Sequence, residues 1–210
     1  MMKSNNKTNK DKTPHLFSIA CFSTDLKDYS PITIIKKYLH LEQCSNVKCG
    51  KEEIEFDHSS NAASGRMTRC KLYEISNISQ KNSKCDFVDS YIIFINLEGN
   101  EVYNQMDSFI SYINNFGKKE LKIYLIGMYK NIENVSELNK KKEIKEYLES
   151  QNYNNCIYNE VNYDSSNELV EKLGSAINET LKNKVYEHLN QSSDVEIEAH
   201  DQSSSKCVIF

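Results

Sequence analysis

Tyr91-Ile92-Ile93-Phe94-Ile95-Asn96-Leu97 is the longest apolar run in the chain. It is far too short to cross a bilayer. Nearly continuous apolarity without alternation marks a strand buried on both faces. Such a strand needs helices above and below it, and the sequence on either side supplies them. C-terminal to it, Val102, Met106, Phe109, Ile110, Ile113 and Phe116 recur at helical spacing. Leu121 to Gly127 is a second buried strand, Leu138 to Ser150 a charged helix, and Asn155 to Val161 a further strand. Ser165-x-x-Glu168 is a capping box that opens a last helix lined by Leu169, Leu173, Ile177, Leu181, Val185 and Leu189.

N-terminal to the run, His15 to Phe22 reads as a buried strand. Ser30 as N-cap and Pro31 in the first turn then open a helix carrying Ile32, Ile35 and Leu39. Val47 to Asp57 and Arg66 to Ser76 read as two strands of a hairpin joined by the polar loop His58 to Gly65. The order β, α, β, β, β, α, β, α, β, α predicts an α/β fold. Its sheet should be mostly parallel, with one antiparallel hairpin strand and helices on both faces. The domain is expected to span 15–190. A disordered polar arm should precede it at 1–14, and a flexible tail should follow at 191–210.

Composition narrows the function. The chain has 210 residues and a formal net charge of -4, which argues against general nucleic-acid binding. Mean hydropathy is -0.64, and Met1 to Pro14 has no apolar segment of a signal peptide. Met2 stands where myristoylation needs glycine. The seven cysteines are an odd number without CxxC spacing, as expected of reduced cytosolic thiols. His40, Cys44, Cys49 and His58 are potential zinc ligands, but their spacing matches no common finger and they read as scattered side chains, so no metal site is expected. Lys140-Lys141-Lys142 reads as a solvated helix face.

Cys207-Val208-Ile209-Phe210 has the form of a Cys-aliphatic-aliphatic-X prenylation signal, with the Cys207 thiol as acceptor of the isoprenoid. This implies a protein prenyltransferase and places the chain on the cytoplasmic face of a membrane. One lipid chain anchors only marginally. The preceding Asp194, Glu196, Glu198 and Asp201 would repel anionic lipid. Residence is therefore expected to be reversible and stabilised by a protein partner.

Ligands of such sheets bind beyond the carboxyl ends of the strands, here after Phe22, Ser76, Leu97, Gly127 and Val161. The element order, the prenyl signal and the stretch from Tyr91 through Asn104-x-x-x-Ser108-Phe109 to Lys122-Ile-Tyr-Leu-Ile-Gly127 resemble the Ras superfamily of small GTPases, its Rab and Ras branches in particular. The resemblance covers about 15–189 and implies a P-loop-GTPase-like three-layer fold. It also implies a carrier that shields the isoprenoid.

The family's nucleotide motifs are degraded. The phosphate loop Gly-x-x-x-x-Gly-Lys-Ser/Thr aligns with Cys21-Phe-Ser-Thr-Asp-Leu26-Lys27-Asp28, where only Lys27 matches. Both glycines that let backbone N–H groups wrap phosphate are replaced, and Asp25 and Asp28 bring negative charge. Asp-x-x-Gly-Gln aligns with Ser76-Asn77-Ile78-Ser79-Gln80, leaving only Gln80 as a water-orienting candidate. The segment from there to Tyr91 is short, so the second switch should be truncated. Asn-Lys-x-Asp is Met128-Tyr129-Lys130-Asn131, and Asn131 cannot accept both hydrogen bonds from guanine as a carboxylate does. Asn162-Tyr163-Asp164 stands in place of Ser-Ala-Lys. Tyr129 and Tyr163 could stack on a base, although packing is their commoner use.

Three readings follow. The first is a prenylated pseudo-GTPase in vesicle traffic or signalling, binding an effector-like partner through 40–49 and 76–89. The second is a divergent working GTPase that uses GTP and GDP with magnesium through Lys27, Gln80 and Asn131. The third, an unrelated doubly wound enzyme, needs a clustered acid, base or nucleophile, and the sequence offers none.

Overall fold

A computed structural model describes the backbone of residues 15–59, 67–99, 101–130 and 136–201, and the side chains of 16–58, 68–99, 101–130 and 142–184. The strands are β1 (His15–Ser23), β2 (Ser45–Cys49), β3 (Glu53–Ser59), β4 (Met67–Glu74), β5 (Ser90–Asn96), β6 (Ile123–Tyr129) and β7 (Cys156–Asn162). The helices are α1 (Pro31–Leu41), α2 (Val102–Phe116), α3 (Ser136–Ser150) and α4 (Ser166–Asp201). The strands form one seven-stranded sheet in the order β2-β3-β4-β1-β5-β6-β7. β4, β1, β5, β6 and β7 are mutually parallel, and β3 runs antiparallel to both β4 and β2. This is an α/β fold of the P-loop-GTPase-like three-layer type.

Strand alternation divides the core. Phe17, Ile19 and Cys21 of β1 point to one face, with Ile92 and Phe94 of β5, and are covered by Ile34, Ile35 and Tyr38 of α1 and Leu169, Leu173 and Ile177 of α4. Ala20 and Phe22 of β1 point to the other face, with Ile93 and Ile95, beneath Met106, Ile110 and Ile113 of α2 and Ile144 and Leu148 of α3. All but Asn96 of β5 is buried, as a strand covered on both sides must be.

Two elements depart from the sequence expectation. The segment 47–57 is not one strand. It folds back at Gly50, whose N–H donates to Glu53 O at 2.7 Å, making β2 and β3 neighbouring antiparallel strands. A Cβ on Gly50 would lie 3.0 Å from Glu53 Cγ, so the tight turn favours glycine. α4 continues to Asp201, past the boundary expected at 190. The arm 1–14, the loop residues 60–66 and the end of the tail at 202–210 lie outside the described residues.

Between β4 and β5 the chain makes only a single 3₁₀ turn, Ser83–Asp86. Asn82 caps it, its Oδ1 accepting Lys84 N–H at 3.0 Å. No α-helix forms in this crossover, where a small GTPase carries its second switch. The matching face of β3 and β4 is closed instead by ion pairs: Arg69 to Asp57 (3.2 Å) and Glu55 (3.5 Å), and Lys71 to Glu53 (3.4 Å). Such pairs let a half-covered sheet face meet water while adding little stability each.

Candidate functional site

The first strand-end loop, Thr24 to Ser30, joins β1 to α1. Its shape is fixed from within. Asp25 Oδ1 accepts the backbone N–H groups of Lys27 (3.0 Å) and Asp28 (3.1 Å), an Asx turn. Asp25 Oδ2 accepts Asn96 Nδ2 at 3.1 Å, tying the loop to the end of β5. Thr24 Oγ1 accepts Asn96 N–H at 2.8 Å, and Thr24 N–H donates to Phe94 O at 3.0 Å. Partial burial pushes the Asp25 carboxyl up. The hydrogen bonds from Asp28 N–H, the Asn96 amide and Lys27 N–H outweigh that and hold it below its ordinary value.

The helix that starts here is capped the same way. Ser30 occupies the N-cap position but makes no side-chain cap bond. Its hydroxyl donates to Glu74 Oε2 (2.9 Å), and the same oxygen accepts Ile32 N–H (3.1 Å). Glu74 ends β4, so a carboxylate from a neighbouring strand sits on the positive end of α1. Farther along the sheet, Glu98 Oε1 accepts Lys130 N–H (3.1 Å) after β6, and Glu168 Oε2 accepts Asn162 N–H (2.8 Å) at the end of β7.

One physical consequence covers these loops. Phosphate oxygens are acceptors, and an anion at strand ends or helix N-termini is held by donated backbone N–H groups. Here the N–H groups of Lys27, Asp28, Ile32, Lys130 and Asn162 already donate to the protein's own carboxylates. The charges of Glu98, Asp28, Asp25 and Asp164 also converge on Tyr29, where they add to burial in pushing its phenol upward. A polyphosphate at this end of the sheet would meet repulsion and would have to displace resident acceptors.

The region that would take a base is filled by side chains. Tyr29 is buried and packs edge-on against Tyr163, ring centroids 5.4 Å apart. Lys37 Nζ lies 4.0 Å from the centroid of the Tyr163 ring and donates to Tyr163 O. Lys130 Nζ approaches the Tyr29 ring at 5.5 Å. The Tyr163 ring is thus engaged by a cation and an aromatic edge. Tyr129 is partly buried against the α2 face of the core.

The residues singled out from sequence are placed as follows. The structure begins the first loop at Thr24, so Cys21, Phe22 and Ser23 belong to β1 and not to the loop. Lys27 is exposed and lies in mid-loop, before the first helical residue Pro31, not in the helix's first turn where a phosphate-binding lysine stands. Gln80 is exposed in the segment after β4. Asn131 and Cys207 lie outside the described residues. Of the candidate zinc ligands, His58 is buried on β3 with Nε2 2.9 Å from Asn178 Oδ1 of α4, whereas Cys49 is exposed on β2. Among the described residues no group of three or more His, Cys, Asp or Glu is arranged to hold a metal.

The two segments expected to meet a partner lie against opposite cores. Residues 40–49 end α1 and form β2. They help line an open groove of about 680 Å³ bounded by Lys36, Leu39, His40, Gln43, Cys44 and Val47. Residues 76–89 pack Ile78, Cys85 and Val88 against the α2 side. The Lys84 to Glu52 ion pair (3.5 Å) ties that segment to the β2–β3 turn.

The residues that define this site were not those the family motifs pointed to. Asp25, Glu74, Glu98 and Glu168 carry it. Two of them had a local signal: Asp25, an Asp followed two and three residues later by loop N–H groups, and Glu168 of the capping box, whose carboxylate takes Asn162 N–H. No protein-family model matches the chain, and no curated protein matches it.

Proposed function

We propose that this chain is a prenylated, small-GTPase-like interaction module of vesicle traffic or signalling. It acts at the cytoplasmic face of a membrane and lacks efficient GTP hydrolysis. The observation that carries this reading is the occupation of the first loop by Asp25, whose carboxylate takes the N–H groups of Lys27 and Asp28. A protein whose loops are held by its own carboxylates has one conformation regardless of nucleotide, so it acts constitutively. The groove beside 40–49 and the short segment 76–89 are the surfaces offered to a protein partner. Cys207 carries the isoprenoid in this reading, and a prenyl-shielding carrier accounts for the soluble fraction.

The reading is tested by capture of partners from a lysate on the full chain in GDP, in a non-hydrolysable GTP analogue, and after nucleotide depletion. The same partners should be recovered at equal yield in all three. Cys207→Ser should weaken membrane residence without changing the set. Recovery that depends on the guanine nucleotide would make the chain a divergent switch.

A further inference from the structure

We propose that the edge of the sheet opposite the strand-end loops is a docking surface for an anionic lipid bilayer, the second contact that a single isoprenoid requires. The proposal rests on the membrane reading above for the need of such a contact, but not for its geometry.

The edge is built where the β4–β5 crossover is short. Leu16, Ser18, Ala20 and Phe22 share one face of β1. α2 covers Ala20 and Phe22, whereas Leu16 stays 56% exposed. Phe87, just after the 3₁₀ turn, is 75% exposed. It is held beside the same strand by Ser18, whose hydroxyl donates to Phe87 O at 2.8 Å. Phe116 ends α2 and is 37% exposed. Its ring packs on Tyr112 (5.3 Å), whose hydroxyl accepts Asn82 N–H (2.9 Å) at the cap of that turn. Three large, exposed apolar side chains thus flank one turn, where the other hydrophobic residues of the α2 side are buried or partly buried.

Lysines border them. Lys118 Nζ donates to Val88 O at 3.2 Å, and Lys118 N–H donates to the Tyr91 hydroxyl at 2.8 Å, so the 117–122 loop lies against the Phe87 segment. Lys119 and Lys122 of that loop are exposed. Of the nearby acids, Asp86 and Asp89 are paired, with Lys81 (2.9 Å) and Lys184 (2.6 Å), and Glu120 lies exposed between Lys119 and Lys122, leaving the loop with an excess of lysine. Exposed Phe and Leu among lysines is the pattern of a surface that seats in the headgroup layer of an anionic membrane.

The Lys184 to Asp89 pair fixes α4 at this edge, and the helix continues to Asp201. The tail itself supplies no basic cluster to help the lipid anchor. The folded edge beside Lys184 carries Lys119 and Lys122.

The test uses the full chain with unmodified Cys207, so prenylation plays no part. Sedimentation with vesicles of phosphatidylcholine alone, or with a third of it replaced by phosphatidylserine, measures partitioning without nucleotide. Binding to the anionic vesicles is expected. Leu16→Ser with Phe87→Ser should weaken it at least about tenfold. Lys119→Glu with Lys122→Glu should weaken it about tenfold or more, and the effect should fade at high salt. These side chains are exposed, and an unchanged melting temperature verifies that each variant is folded. No binding to anionic vesicles, or binding that both double variants retain, overturns the proposal. A prenylated, nucleotide-independent adaptor could still stand in that case. If nucleotide instead controls partner capture, the function proposed above fails while this surface stands.

Discussion

At the residue scale, one carboxylate explains why a loop without glycine keeps its shape. Asp25 accepts three hydrogen bonds, two from the backbone of its own loop and one from Asn96. Asp25→Ala should cost about 1 kcal/mol of unfolding free energy at neutral pH, in the range of lost cap interactions. Its carboxyl titrates below its ordinary value in the folded state. The stabilisation is therefore complete above the unfolded carboxylate value of about 3.9 and disappears as pH falls through the lower folded value. Urea unfolding of Asp25→Ala against the parent should show a gap at pH 7 that shrinks at an acid pH below the unfolded carboxylate value. Asp57 is lowered too, chiefly by the Asn46 amide and then by Arg69, so the parent itself should lose stability in the same acid range. An equal gap at both pH values would mean that Asp25 acts by packing and not as an acceptor of hydrogen bonds.

At the element scale, strands and helices were legible wherever periodicity was strong. The run at 91–97 is β5 shifted by one residue, and the apolar spacing from Val102 to Phe116 matches α2 end to end. The hairpin was legible, but β2 was not separable from β3. Val47, Ile54 and Phe56 continue an apolar pattern across a turn whose only mark is Gly50. The role of Glu74 was invisible because its partners, Ser30 and Ile32, are more than 40 residues away in sequence. Long-range carboxylate caps leave no local pattern. The acids near the first loop were accordingly read as repelling phosphate, not as replacing it.

Two expectations belong to this scale. Glu74→Ala removes the acceptor for Ser30 and Ile32 at the α1 N-terminus and should destabilise the fold by about 1 kcal/mol. Chemical denaturation, with Glu74→Gln retaining part of the loss, checks it. Gly127→Ala in β6 would place a Cβ 2.8 Å from the Tyr158 hydroxyl and 2.9 Å from Leu97 Cδ1. Crowding in a closed core should cost about 1–3 kcal/mol. A melting temperature equal to that of the parent would show that Tyr158 of β7 and Leu97 pack on β6 more loosely than described.

At the scale of the whole molecule, a parallel sheet keeps its two helical layers while the loops at one end turn inward on themselves. Asp25, Glu74, Glu98 and Glu168 take backbone donors that an anionic ligand would need. Tyr29, Tyr163 and Lys37 fill the neighbouring space. The measurement that tests this most directly is the melting temperature of the full chain with millimolar GTP, GDP or ATP, each with magnesium. A ligand at a hundred times its Kd stabilises the native state by about 2.7 kcal/mol, which in a domain of this size is about 5–10 °C. The account predicts no shift with any of the three. A rise of that size with guanine nucleotides would mean that the carboxylates give way to phosphate, and the chain would then be a working, divergent switch.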